Sequence, residues 1–477
     1  MGLLLIVLPL LAAAVAFLVP SNRVRPWLLP VLGTAHLTLT ILALSYPLLS
    51  ISWDWLVLDA LGKVVILCVS TLFFFCSFYA VGYLRHVIER PNRVFVACLC
   101  AFLGIVSLVV QAHHLGLLWI AIEATTLATA PLIYFNHTKL SIEATWKYLL
   151  VSSVGIALAL LGTFFLAFSA MQGGMPASLS LEDLFRDGTH LSKPWLRAAF
   201  ILLLVGYGTK MGLAPMHSWK PDTYGESAGV VGAIFAGGVT CVAFLALLRV
   251  DQVCVAAGEG VFANQLLLVM GILSMAVAGL FMIGQRDIKR LLAYSSVEHM
   301  GILVLGLGIG KTALFGTLLH VVNNTLTKGV LFLSAGNIQR AFGSKSTADV
   351  TGAIRRLPIS GSLFLLGFLA ITGSPPFAPF VSEFAILNGA IDARQFVVAG
   401  LFLLLLLIVF IGMGKTVLGV VQGAVPTTIK DTGYHDNFLT AAPVLVLAGL
   451  VLLFGLYLPA PLNQWIHEAV FALEYPS

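Results

Sequence analysis

The sequence predicts an all-α polytopic membrane protein of about fourteen transmembrane helices, two of them discontinuous, and three observations carry that prediction. The 477 residues are 59% apolar and only 10% charged, against about 25% charged in an ordinary soluble domain. Apolar runs near or above about eighteen residues, long enough for a membrane helix, recur from end to end. Two of the runs are interrupted by glycine and proline beside an ionisable residue. A β-barrel would show short segments of alternating hydrophobicity instead, and none dominates.

Taken in order, residues 2–20 open without a basic n-region and lead straight into further spans, which predicts a first transmembrane helix and not a cleaved signal. Spans follow near 28–50, 60–84, 94–112, 115–136 and 145–171. The polar connection 172–194 contains Ser180 to Phe185, a short interfacial helix with Ser180 as its expected cap. Spans resume near 195–216, 228–250, 262–284, 290–310, 312–339, 357–390, 395–422 and 439–460.

Alternate loops test this count. Seventeen of the 26 Lys and Arg, among them Arg23, Arg85, Lys220, Lys289, Arg340 and Lys430, fall in one set of loops. Six, among them Arg186, Arg249 and Arg394, fall in the other, leaving Lys63, Lys210 and Lys328 inside spans. The positive-inside bias then puts both termini outside the cytoplasm.

The run from Gly208 to Asp222 sets a lysine, Lys210, beside Gly212 and Pro215, which end or kink a helix. A lysine at the bilayer centre costs about 2.5–3.5 kcal/mol on insertion scales, and intramembrane ionisable groups mark ion or proton pathways. Pro375, Pro376 and Pro379 break a second span ahead of Glu383. Two interruptions five spans apart are what an inverted-repeat transporter predicts, because an odd spacing turns the second copy over. The expected organisation is 1–93 as N-terminal helices, 94–250 as the first repeat with its break near 212–216, 262–422 as the second with its break near 374–379, and 439–477 as a C-terminal helix and tail.

Glu123 lies mid-span, and a buried carboxylate needs a cation, for which Lys210 is the obvious candidate. Two readings stand, an acid–lysine switch and a static salt bridge. His320, Asn324 and Lys328 fall on roughly one face of a helix. They form either a conducting stripe continued by Glu383 or interhelical glue. Glu298 and His299, about two turns into a span that follows the basic Asp287-to-Arg290 anchor, are the candidate proton input. Glu143 and Lys147 form an i, i+4 pair at a helix end, either accessory or structural. Lys63 and His36 are expected to pack or snorkel near an interface.

Five of the six cysteines lie in apolar runs and Cys254 just beyond one, with no CxxC or Cys/His cluster. That predicts no disulfide framework, structural zinc or iron–sulfur cluster, and no metal is expected. Gly-Lys-Thr at 310–312 and 414–416 fails as a phosphate loop, because Leu305 and Val409 stand where the pattern requires glycine. The formal charge of +5 makes no case for nucleic acid. No redox or hydrolytic site is legible, so no cofactor is expected in this chain.

Lys210 to Asp222, Asp287 to Ser296 and the two broken helices resemble the antiporter-like proton-pumping subunits shared by respiratory complex I, Mrp-type antiporters and membrane-bound hydrogenases. Within that superfamily, Ile142 to Tyr148 and Ser295 to Gly301 resemble the component F subfamily of hydrogenase-4. The resemblance implies two inverted five-helix repeats around a central hydrophilic axis. It also implies Glu123 as the modulator of Lys210, His320 and Lys328 as a relay, and Glu383 as the exit-side group. Many relatives carry a histidine or lysine in the span after Lys210, where this sequence has Ala236.

The expected function is a non-catalytic, proton-translocating membrane subunit of a group 4 nickel–iron hydrogenase or formate hydrogenlyase-like complex. The expected setting is a bacterial or archaeal cytoplasmic membrane, with protons, the lipid bilayer and other membrane and peripheral subunits as partners. The alternatives are an Mrp-type cation/proton antiporter subunit, a complex I pumping subunit and a non-pumping anchor.

Overall fold

Runs of aliphatic and aromatic residues satisfy their backbone polar groups internally only as helices when no water is at hand. The computed structural model describes residues 1–46, 54–426 and 432–476, and among them it contains twenty α-helices and no strand. These are α1 (Gly2–Leu18), α2 (Leu28–Ser45), α3 (Ala60–His86), α4 (Arg93–Gln111), α5 (Leu115–Tyr134), α6 (Lys139–Gln172) and α7 (Leu181–Arg186). The middle of the chain forms α8 (Lys193–Met211), α9 (Trp219–Glu226), α10 (Gly229–Ile234), α11 (Thr240–Ala256), α12 (Gly260–Met282), α13 (Ile288–Ile309) and α14 (Leu314–Phe342). The remainder is α15 (Ala353–Arg356), α16 (Pro358–Ile371), α17 (Ala378–Asp392), α18 (Phe396–Val421), α19 (Phe438–Leu456) and α20 (Ala460–Glu474).

Short α7, α15 and α20 aside, and with α8–α9, α10–α11 and α16–α17 each taken as one interrupted crossing, these helices match the fourteen expected spans one for one. Residues 47–50 of the second expected span and Lys430 lie outside the described residues. Local chemistry fixes the ends: Asp59 caps α3 through the Gly62 N–H at 2.7 Å, and Thr138 with Ser141 forms a capping box on α6. Ser180 does not cap α7; its side chain makes no cap bond, and Ser178 instead donates to Asp183 at 2.6 Å.

The core is helical on all sides. The Gly229–Ala256 crossing and α14 are buried over most of their length, and α6, α12, α18 and α19 form the outer wall, with exposed apolar residues such as Val154, Val269, Leu407 and Leu445. Apolar side chains gain little from burial against each other in lipid, so close backbone approach matters more there. It occurs between α6 and α8, where a Cβ on Gly206 would stand 2.7 Å from the Gly155 carbonyl oxygen.

Two expectations of the sequence are corrected. The C-terminal tail is a helix, α20, which lays Leu462, Ile466, Ala469 and Leu473 on the core, while its Glu468 reaches Lys63 at 3.7 Å. Several charges expected in loops are buried. Arg249 is fully enclosed, donating to the carbonyls of Val109, Val110 and Ala112 and to Asp59 at 3.3 Å. Burial alone would raise the Asp59 carboxyl, but the Arg249 charge, His113 and the Gly62 N–H outweigh it and hold it at about 2. Lys289 is buried with its ammonium on the Ser227 carbonyl at 2.6 Å. His36, expected to pack or snorkel, packs: it is buried between Ser70 and Ser107 at 2.7 and 2.9 Å.

Candidate functional site

Both expected breaks are present and are built alike. At the end of α8, Gly212 turns left-handed (φ 74°), with its N–H on the Thr209 carbonyl and the Leu213 N–H on the Gly208 carbonyl, a Schellman closure. At the end of α16, Gly373 (φ 67°) and Ser374 make the same pair of bonds to Ala370 and Leu369. Pro215 follows the first glycine; Pro375, Pro376 and Pro379 follow the second, and the Ala214–Pro215 and Pro375–Pro376 bonds are cis. Each broken crossing is the fourth of five consecutive spans.

The missing Cβ has a use at each glycine. One on Gly212 would lie 2.4 Å from Cδ and Cε of Lys220; one on Gly373 would lie 2.2 Å from a carboxylate oxygen of Glu383. Each break thus makes room for an ionisable side chain from the helix that follows it.

Lys210 is fully buried at the end of α8. Its ammonium donates to Thr126 Oγ1 at 2.7 Å and to the Tyr148 hydroxyl at 2.8 Å. Glu123, half-buried on α5, accepts from that same Thr126 hydroxyl at 3.1 Å and from Ser153 at 3.0 Å. The expected direct Glu123–Lys210 pair is therefore replaced by a relayed one. Thr126 sits one turn beyond Glu123 on the same helix and reaches the lysine first.

The sequence places Lys220 in a basic loop, and the structure corrects that. It lies on α9, fully buried, with its ammonium 3.1 Å from Ser296 Oγ on α13. The neighbouring Ser295 receives the ammonium of Lys328, from α14, at 2.7 Å. Between Lys210 and Lys220 stands an aromatic group of Tyr148, Trp219, Tyr224 and Phe235, with ring centroids 5.1–6.2 Å apart. Ala236 falls inside a single π-helical turn, Phe235–Val239, joining α10 to α11.

Beyond Lys328 the row continues. Glu298 and His299 are not at a mouth but mid-row and buried, with His299 Nε2 3.7 Å from Glu298 Oε2 and His299 Nδ1 2.9 Å from His320 Nε2. His320 Nδ1 lies 2.9 Å from Ser382 Oγ, and Glu383 is the next residue, on the wall of a cavity of about 280 Å³ with Thr372 and Gly373. The amide of Asn324 and Oε1 of Glu383 are buried without a hydrogen-bond partner among the described residues. Buried polar groups of that kind are ordinarily satisfied by water.

At the periphery Lys147 meets Glu143 at 2.7 Å and also Asp222 of α9 at 2.7 Å. Arg290 of α13 donates to Asp222 as well, and Lys345 holds Glu226 and Asp287 at 2.6 and 3.2 Å. Asp222 therefore takes one cation from the first half of the chain and one from the second. Lys220 was legible, in principle, from Trp219 and Pro221 around it, since proline in a first helical turn starts a helix.

Comparison with known proteins bears on the family and the fold. A family profile described as NADH:quinone oxidoreductase/Mrp antiporter, TM, matches residues 112–409. A hydrogenase-4 component F homolog of Methylacidiphilum infernorum is 33% identical over 430 residues, 88% of this chain and 89% of the relative. An NADH-quinone oxidoreductase subunit of Desulforudis audaxviator is 32% identical, covering 72% and 68%. Among solved structures, a chain of the Mrp complex from Dietzia sp. DQ12-45-1b superposes with a TM-score of 0.86 at 19% identity, over 99% and 97% of the two chains. A chain of respiratory complex I from Thermus thermophilus gives 0.81 at 22%, over 99% and 100%.

Proposed function

The chain belongs to the NADH:quinone oxidoreductase/Mrp antiporter transmembrane family, and from that premise we propose that it is the proton-translocating membrane subunit of a group 4 nickel–iron hydrogenase-like complex. The observation that carries proton translocation is the buried row from Glu123 through Lys210, Lys220, Lys328, Glu298, His299 and His320 to Glu383. Seven buried ionisable side chains in one row, entered from the half-buried Glu123, are too costly to serve as packing alone. The hydrogenase assignment rests on the component F relative, matched over nearly the full length of both chains.

In this reading Glu123 sets the charge state of Lys210 through Thr126, and redox chemistry in partner subunits drives the exchange. Protons pass from the cytoplasm along the lysines and leave beside Glu383, with both termini on the outer face of a bacterial or archaeal cytoplasmic membrane. Moving one charge against 100 mV requires about 2.3 kcal/mol. Glu123 and Lys210 both bond the Thr126 hydroxyl, which sets them within about 6 Å, where two unit charges interact by about 3 kcal/mol at an effective dielectric of 20, so making or breaking that relay suffices.

The Thr126 relay has its own test. Thr126→Val should slow proton translocation several-fold, and Glu123→Gln added to it should cost nothing further, because both act through one bond. Additive losses would show that Glu123 acts by another route.

The partner is read by purifying the tagged chain in mild detergent and identifying what accompanies it by mass spectrometry. Hydrogenase large and small subunits are expected. Dehydrogenase subunits of the complex I kind would overturn the hydrogenase assignment while leaving the proton row. The chain is also 24% identical to a Na(+)/H(+) antiporter subunit of Alkalihalophilus pseudofirmus over 86% of its length. Isolation with small membrane subunits only, together with sodium flux independent of any electron donor, would establish that second reading.

A further inference from the structure

His299, His320 and Glu383 come from three helices, α13, α14 and α17, and one donor atom of each lies within 4.8 Å of the other two. All three residues are buried, and the imidazoles stack with centroids 5.1 Å apart. His299 Nε2 and Glu383 Oε1 are enclosed without a hydrogen-bond partner among the described residues. Two imidazoles and a carboxylate are a donor set for zinc, and three protein ligands leave one coordination position open. Donors bound tetrahedrally to zinc at about 2.0–2.1 Å stand about 3.3 Å apart. Small side-chain movements bring the present spacing to that value.

The surrounding bonds already set the imidazole for such a role. Ser382 Oγ donates to the Pro379 carbonyl at 3.0 Å, so at 2.9 Å it accepts from His320 Nδ1–H and leaves a lone pair on His320 Nε2. A second hydrogen bond that fixes the ring and its tautomer is the usual support of a metal-ligating histidine. That lone pair now accepts from His299 Nδ1 at 2.9 Å. A metal ion and the His299–His320 hydrogen bond therefore exclude each other. Glu383 also forms part of the wall of the cavity of about 280 Å³, beside Thr372 and Gly373.

We propose that His299, His320 and Glu383 form a binding site for a divalent transition-metal ion of the zinc class, and that the bound ion interrupts the row of proton carriers. The interruption rests on the proton-row reading above; the binding does not. The test uses the full chain in its purified complex, carrying a tag without histidines, with Co²⁺ as the spectroscopic probe and Zn²⁺ as competitor.

One Co²⁺ should be retained after buffer exchange, with the intense visible bands of a four- or five-coordinate ion, and Zn²⁺ should displace it. His320→Gln and Glu383→Gln should each weaken retention by at least about tenfold, the scale already known for losing an outer-shell partner. Lys210→Ala should retain the ion like the unaltered protein while losing proton translocation, which separates failure of this site from failure of the relay. An unaltered complex that retains no ion overturns the proposal, as does either ligand variant holding it unchanged in a monodisperse complex. Failure of Zn²⁺ to inhibit proton translocation when the ion is bound would overturn the interruption.

Discussion

Lys220→Met is expected to stop proton translocation, by more than tenfold, in a complex that still assembles. Methionine keeps much of the lysine's length and apolar stem against Gly212, so the fold around the break is retained while the charge is lost. The ammonium on Ser296 is the group between Lys210 and Lys328, and no other cation occupies that place among the described residues. Lys220→Arg should fail as well. A guanidinium keeps the charge but does not release its proton in a protein, and its bulk meets the space left by Gly212. The measurement is dye quenching in inverted vesicles with the physiological electron donor, normalised to assembled complex. Translocation near the unaltered rate in Lys220→Met would remove this residue from the pathway.

The second large effect is on the break itself. Gly212→Ala should lower the thermal midpoint of the purified complex and displace Lys220. An alanine in the left-handed region costs about 1–2 kcal/mol, and forcing a methyl into a filled site adds about 1–3 kcal/mol. Gly284 separates the two contributions: it has the same φ of 74°, but a Cβ there meets nothing within 4 Å. Gly284→Ala should therefore show only the smaller backbone loss and normal translocation. Gly373→Ala, whose Cβ would collide with Glu383, belongs with Gly212→Ala. If Gly212→Ala proved no worse than Gly284→Ala, the account of the break as a berth for Lys220 would fall.

Which of these features the sequence discloses follows from the range of the interactions involved. The spans are legible because burial in lipid acts on every residue of a run, and Gly212 and the proline breaks because backbone geometry is local; Gly373 shows only in the structure. Lys210 stands out as a charge within an apolar stretch. Lys220 is half legible: Trp219 and Pro221 mark a helix start around it, but only the packing of α9 against α13 turns it inward. Thr126 is invisible for a similar reason: its place between Glu123 and Lys210 depends on where α5, α6 and α8 meet. The His299–His320 contact needs the register of α13 against α14, which no periodicity supplies. Helix α20 escapes because its apolar residues form a stripe and not a run.

The double grip on Asp222 has a mechanical meaning. Helix α9 is a short rigid strut pinned at that carboxylate to α6 by Lys147 and to α13 by Arg290, and pinned near its end to Lys345 through Glu226. Its own ammonium, two residues before the pin, points inward. Sliding of α6 against α13 would load the two contacts on Asp222 from opposite sides, on the helix that carries the inward lysine. Surface ion pairs of this kind contribute little to stability, about 0–1 kcal/mol each, yet together they tie the rim of the bundle to the helix that carries its central lysine.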